Sequence, residues 1–297
     1  MNYLITGASG FIGRKLVHML LHDGHSVDYL GRKRNPNLDS RAAFHPWSPG
    51  ERPPLSSVPP VDAIVHLAGE PVAQRWTPEV KEAIYASRVE RTRKLVSAIE
   101  ELRHKPAVLV TASAVGYYGD RGDEVLTETS TPGADFLAKL CVDWEHEAMR
   151  AREVGLRVAC IRIGIVLGRD GGALKQIITP FRFGIGGRLG RGQQWMPWIH
   201  VDDLLRLFVF AAGNSCIDGP LNGSGPVPVT NAEFTRTLAK ALNRPAILPV
   251  PKFALKIALG DFARYMFASL RVIPEVTSQT GFVFTYPELR GALGNLL

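Results

Sequence analysis

Residues 3–16, YLITGASGFIGRKL, constrain the fold more than any other stretch of the chain. A short apolar run, YLIT, meets three glycines, Gly7, Gly10 and Gly13, and a helical pattern begins at once. Glycine at this spacing lets the backbone turn sharply and lets a phosphate approach the main chain. The helix that follows offers unpaired N–H groups and the positive end of its dipole. Gly7, Ala8, Ser9, Gly10, Phe11, Ile12 and Gly13 are therefore the candidate cradle for a pyrophosphate. Over 13–24, helical spacing puts Leu16, Val17, Leu20 and Leu21 on one face, with Gly24 as the stop. SVDYLG (26–31) reads as a second strand, which completes a βαβ unit of about 30 residues.

The alternation continues. DAIVHLAG (62–69), AVLVTAS (107–113) and RVACIRIGIVLG (157–168) read as strands. Residues 78–102 read as one long helix, and 136–155 as another that ends at Gly155. HPWSPGERPPLSSVPP (45–60) is too rich in proline for a helix or a central strand and reads as a surface loop. Strands alternating with helices predict an α/β protein, a Rossmann-type doubly wound parallel sheet covered on both faces. Beyond Gly168 the texture changes: glycines crowd 184–192 and prolines recur from 220 to 251. The expected organisation is a cofactor-binding Rossmann domain over 1–168 and a smaller, mainly substrate-binding C-terminal lobe over 169–297. A part of that lobe, about 198–223, is expected to return to the Rossmann core.

The tip of the second strand selects the cofactor. NAD-binding sheets place an acid about 20 residues past the glycines to bond the ribose 2′-OH. Here the tip is Gly31, Arg32, Lys33, Arg34, with no acid. A cationic tip suits a 2′-phosphate, which arginine can hold bidentately. Arg32 and Lys33 thus predict NADP(H).

Composition closes off other classes. With 45% hydrophobic and 21% charged residues, the 297-residue chain has the balance of a folded protein. The net charge of +7 raises nucleic acid as a partner, but no dense Lys/Arg block with interleaved aromatics is present, so none is expected. Cys141, Cys160 and Cys216 lack CxxC spacing and fit a reducing compartment. FALKIALGDFARYMFASL (253–270) is apolar but carries Lys256, Asp261 and Arg264, so it reads as an amphipathic helix and not a membrane span. With the first strand beginning at Tyr3 and no signal peptide before it, a cytoplasmic protein without a membrane partner is expected.

The later landmarks carry a resemblance. TGASGFIG, HLAG (66–69), TASAVGYYG (111–119), RIGIVLG (162–168) and PWIHVDDL (197–204) resemble, in order, those of the extended short-chain dehydrogenase/reductase superfamily. More narrowly, HLAGEPV, SAVGYYGD, GIVLGRDGGAL, GQQWMPWIHVDD and TGFVFTYPEL resemble the SDR39U-type epimerase-like family, which includes bacterial proteins described as nucleoside-diphosphate-sugar epimerases or cell-division inhibitors. The resemblance implies a Rossmann fold that binds NADP(H), acts on a small-molecule substrate and forms a homodimer. It also implies cofactor contacts from Leu67, Ala68, Gly69, Glu70, Arg88 and Val166.

Active members of the superfamily use Ser, Tyr and Lys, with the Tyr four residues before the Lys on one helix face, exchanging a proton with the substrate oxygen. Lys139 is the lysine in the matching segment, but Asp135 stands where the tyrosine should be. Ser113 matches the serine, and Tyr117 and Tyr118 are the candidates for the replacement acid, their alternative role being that of rim aromatics. In the C-terminal lobe, Gln193, Gln194, Trp195, Trp198 and His200 combine amides and aromatics suited to a polyhydroxylated or planar ligand. Asp143, Glu145, His146 and Glu147 show no metal-ligand spacing and read as an exposed charged face. Asp202 or Asp203 is expected to cap the helix that follows, as Thr230 or Asn231 caps the helix over 230–242. Two functions follow: an NADP(H)-dependent oxidoreductase or epimerase on a carbonyl or sugar-type substrate, or a non-catalytic NADP(H)-binding regulator that presents its C-terminal lobe to a protein partner.

Overall fold

The computed structural model describes residues 1–48, 50–246 and 249–297. Along the chain come strand β1 (Asn2–Thr6), helix α1 (Phe11–His22), β2 (Ser26–Gly31), β3 (Ala43–Pro46), β4 (Ala63–His66), α2 (Pro78–Ala86), α3 (Val89–Glu100) and β5 (Val108–Ala114). Then follow β6 (Val125–Leu126), α4 (Phe136–Met149), β7 (Arg157–Ile163), β8 (Ile165–Leu167), α5 (Gly172–Arg182), β9 (Trp195–Met196), β10 (Trp198–His200), α6 (Val201–Gly213) and β11 (Gly219–Gly223). The remainder holds β12 (Val229–Thr230), α7 (Asn231–Ala241), α8 (Lys252–Leu259), β13 (Arg271–Val272), α9 (Glu275–Gln279) and α10 (Leu289–Leu296).

Seven strands form one parallel sheet in the order β3-β2-β1-β4-β5-β7-β11. Its central strands are mostly apolar because both faces are covered, with polar residues such as Thr6, His66, Ser113 and Arg162 towards their C-terminal ends. Alternate residues serve opposite layers: Tyr3 and Ile5 meet Leu16, Leu20 and Phe208 on one side, while Leu4, Ile64 and Leu109 meet Leu95 and Ile99 on the other. Strand order reverses between β1 and β4, which opens a crevice beyond their C-terminal ends. The glycine loop follows β1 and the Leu67–Glu70 loop follows β4, so both lie at that crevice.

Several boundaries differ from the sequence expectations. The helix expected over 78–102 breaks at Ser87–Arg88 into α2 and α3. The strand expected over 157–168 ends at Ile163. A Cβ at Gly164 would stand 2.4 Å from the carbonyl oxygen of Pro197, so the chain departs there and β8 pairs with β10 outside the main sheet. In the proline-rich stretch, His45 and Pro46 belong to the edge strand β3, where proline is tolerated, and Trp47 and Leu55 are buried anchors; Pro49 lies outside the described residues. The amphipathic stretch 253–270 is two pieces, α8 and a 3-10 segment (Asp261–Phe267), split at Gly260 with φ +59°.

Residues after Gly168 contribute to both parts of the molecule. α6 packs on α1 and beneath the main sheet, and β11 forms its edge. The rest has its own core around Leu174, Phe181, Trp198, Phe234, Leu238 and Leu293.

Candidate functional site

The glycine loop is shaped by its own packing and leaves one end open. Gly7 has φ +76°, and a Cβ there would stand 2.7 Å from the Ala68 nitrogen. A Cβ at Gly13 would stand 2.3 Å from the Gly7 oxygen. These two glycines let α1 press onto β1 and the Leu67–Ala68 segment. Gly10 differs: a Cβ there meets only the Gly7 oxygen, at 3.3 Å. Gly10 is the N-cap of the twelve-residue α1, and no side chain caps it. Its first N–H groups therefore need an external acceptor, as an anion site requires. Phe11 is turned away from this opening: Gly168, Gly171 and Gly172 give up side chains to make room for its ring.

A cleft of ≈500 Å³ runs from Ser9 along Gly31, Arg32, Lys33 and Asn35. Arg32, Lys33 and Arg34 are exposed along it. The acid within β2, Asp28, is bound to His45 at 2.6 Å and so stays away from the tip. Arg91 adds a half-buried cation whose Nε has no partner among the described residues. Its charge feels both Arg32 and Glu70.

The break between α2 and α3 builds the floor of the crevice. The Ser87 hydroxyl accepts the Glu70 N–H at 2.9 Å, and Arg88 Nη1 donates to the Glu70 carbonyl at 2.9 Å. The guanidinium lies where a side chain on Gly69 would go and stacks over Trp144 at 5.3 Å. Burial pushes Arg88 down to about 10. Leu67 and Ala68 are tied back to Thr6 through their N–H groups. Thr6 and His66 share a 2.6 Å hydrogen bond, and burial, reinforced by Arg91 and Arg88, pushes His66 down to about 3. Val166 is buried in β8, opposite Ile199.

Beyond β5 lies a buried polar network that explains several residues at once. Glu145 is 7% exposed and Arg162 is 3% exposed. Arg162 binds Glu145 through Nε at 2.9 Å and Nη2 at 2.8 Å, and donates Nη1 to the Tyr118 hydroxyl at 3.0 Å and to the Glu128 carbonyl at 3.1 Å. Burial works against its charge, but the Glu145 bonds outweigh it and hold Arg162 firmly protonated. Ser113 donates to Glu145 at 2.6 Å. Tyr118 donates to Asn222 at 2.7 Å, and burial pushes its phenol up to about 12. Tyr117 is half-buried, with the Arg162 guanidinium 3.4 Å from its ring centroid. Its hydroxyl has no hydrogen-bond partner among the described residues. The exposed charged face expected from α4 is thus incorrect for two of its members: Glu145 and Glu147 are buried, the latter held by Arg93 and Arg150. Among the described residues, no cluster of His, Cys, Asp and Glu could hold a metal ion.

Asp135 is the N-cap of α4, accepting the Ala138 N–H at 3.0 Å, and Lys139 is exposed on the first turn. A carboxylate committed to a helix end does not stand on the helix face where a proton donor is wanted. In the C-terminal lobe Gln193 is exposed, and Gln194 donates to the Leu189 carbonyl. Trp195 is half-buried, its Nε1 bound to Asp123 at 2.8 Å and its ring under Arg271. Trp198 and His200 are each 1% exposed. His200 stacks on Tyr286, contacts Asn295 and caps α6 by accepting the Asp202 N–H. Neither Asp202 nor Asp203 is the cap: Asp203 instead accepts the N–H groups of Thr285 and Tyr286. Thr230 does cap α7.

A parallel sheet reversing at β1/β4, with an uncapped glycine-rich helix at the reversal, defines a Rossmann-type α/β protein. The profile of the NAD dependent epimerase/dehydratase family matches residues 3–218, and that of a domain of unknown function matches 250–296. An Arabidopsis thaliana protein, "Epimerase family protein SDR39U1 homolog, chloroplastic", is 42% identical over 99% of this chain and 86% of its own length. The Bacillus subtilis epimerase family protein YfhF is 36% identical over 100% of this chain and 98% of its own. The human epimerase family protein SDR39U1, crystallised with NADPH, superposes with a TM-score of 0.90 at 34% identity, covering 100% of this chain and 99% of that one. The chain belongs to the NAD dependent epimerase/dehydratase family, and within it to the SDR39U-type epimerase-like group.

Proposed function

We propose that this protein is an NADP(H)-dependent oxidoreductase of the epimerase type that acts on a small polar carbonyl or sugar-type substrate. The observation that carries the cofactor reading is the cleft joining Ser9 to Arg32 and Lys33, with Asp28 withdrawn onto His45. The pyrophosphate fits the uncapped end of α1, where Gly10 leaves the approach open. The 2′-phosphate fits the Arg32–Lys33 tip. The NADPH bound by the human relative is consistent with that choice. When bound, the nicotinamide supplies hydride exchange.

The residues beyond β5 divide the remaining work. Glu145 and Arg162 are committed to each other and to Ser113 and Tyr118, so they position the segment after the strand. Tyr117, at the C-terminal edge of the sheet, is the phenol of the pair left without a protein partner. It is the proton donor in this reading. A second reading, cofactor binding without turnover and recognition of a protein partner, is favoured by Asp135 as a helix cap and Lys139 as an exposed residue. Screening NADPH oxidation against sugar nucleotides, aldehydes and ketones separates the two. Turnover that falls at least tenfold in Tyr117→Phe, with NADPH affinity retained, supports the first. NADPH binding with no turnover across the screen favours the second.

A further inference from the structure

Two neighbouring segments of the C-terminal lobe line no part of the cleft between Ser9 and Arg32. Residues 171–201 and 234–260 hold nine Lys and Arg residues, four in the first segment and five in the second, and no Asp or Glu. Acids stand only at the bounds of the two segments, Asp170, Asp202, Glu233 and Asp261, and Asp261 is paired with Lys81. The two segments meet: Leu189 bridges Val250, and the Val250 N–H donates to the Arg188 carbonyl at 2.8 Å. Large apolar side chains stand outward among the charges. Phe183 and Ile185 are 76% and 67% exposed, and Phe253 and Ile257, one turn apart on α8, are 68% and 71% exposed. Arg182, Arg188, Lys252 and Lys256 are exposed beside them, and none is in an ion pair among the described residues.

We propose that this face docks on an anionic bilayer surface, with Phe183, Ile185, Phe253 and Ile257 entering the headgroup boundary and the flanking cations meeting lipid phosphates. Outward apolar side chains ringed by unpaired cations match both halves of such a surface. A second copy of the chain fits worse, because a twofold interface would set this cation-rich patch against itself. The proposal departs from the sequence expectation of no membrane partner. That expectation rested on the lack of a spanning helix, and no helix among the described residues is long and apolar enough to cross a membrane. Surface docking needs no such helix.

The test is co-sedimentation of the full chain with phosphatidylglycerol/phosphatidylcholine vesicles and with phosphatidylcholine vesicles alone. Binding should require the anionic lipid and weaken with salt. Lys252→Gln should reduce it about fivefold and Lys252→Gln/Lys256→Gln about twenty-fivefold. Phe253→Ser/Ile257→Ser should also release the protein, whereas Lys105→Gln, in the turn that leads into β5, should not. All these positions are exposed, and circular dichroism checks that the variants fold. No binding to anionic vesicles, equal binding to both vesicle types, or binding unchanged in the α8 variants would overturn the proposal. So would a concentration-dependent dimer in sedimentation velocity, abolished by the same variants, in the absence of vesicle binding.

Discussion

Arg162→Met is the sharpest perturbation of the buried network. The substitution keeps much of the side-chain volume but removes the cation. It takes two bonds from Glu145, one from the Tyr118 hydroxyl and one from the Glu128 carbonyl. Glu145 is left buried with the Ser113 hydroxyl as its remaining side-chain donor. Breaking a buried pair by removing one partner costs about 3–5 kcal/mol, mostly for the charge left behind. At about 2–4 °C per kcal/mol for a domain approaching this size, Tm should fall by roughly 10 °C. Differential scanning calorimetry and guanidinium unfolding followed by tryptophan fluorescence both read this. The double variant Arg162→Met/Glu145→Leu should recover most of the loss, since it removes the stranded charge as well. A single variant that loses less than about 1 kcal/mol would refute the reasoning, because the net value of an ordinary hydrogen bond would then account for it. A double variant worse than the single would also refute it, since the damage would then lie in packing and not in charge.

The two glycines at the start of α1 should separate folding from binding. Gly13→Ala should destabilise the protein by about 1–3 kcal/mol, because its methyl would meet the Gly7 carbonyl. Gly10→Ala should unfold like wild type yet bind NADPH several-fold more weakly; equal melting of the two variants would contradict this. Stability should also depend on His66. Its folded pKa lies near 3, below the unfolded value near 6.5, so the unfolded chain binds the extra proton and stability falls as pH drops below about 6.5. Between pH 6.5 and 5 the loss from this residue is about 2 kcal/mol. Burial lowers His200 too, with the same sign. His66→Asn should flatten the urea-midpoint curve over this window, and an unchanged slope would contradict the assignment.

The sheet, the glycine loop and the order of elements are legible in the sequence because each is written locally. Apolar runs, helical spacing and glycine punctuation need no knowledge of what they pack against. Distant partners decide the rest. The break at Ser87 follows from the demand of Glu70 and Gly69 for a hydroxyl and a guanidinium, 17 to 19 residues away along the chain. β8 leaves the main sheet because Pro197 crowds Gly164. Glu145 and Arg162 lie 17 residues apart, on a helix and a strand. Helical periodicity shows Glu145 among charged neighbours and hides its burial. Arg162, set inside the apolar run VACIRIG, does carry a signal, since a charge in a central strand must find a buried partner. His200 looked like a ligand-binding residue for the opposite reason: a histidine beside tryptophans has the same composition whether it caps a helix or meets a substrate.

Fluorescence titration with NADPH and with NADH, in wild type and Arg32→Ala, reads the role of the Arg32–Lys33 tip. NADPH should bind more tightly than NADH. Arg32→Ala should weaken NADPH by about ten- to a hundredfold, the value of a charge-assisted contact, and leave NADH nearly unchanged. Equal affinity for the two cofactors, or an Arg32→Ala loss of the same size for both, would contradict that role.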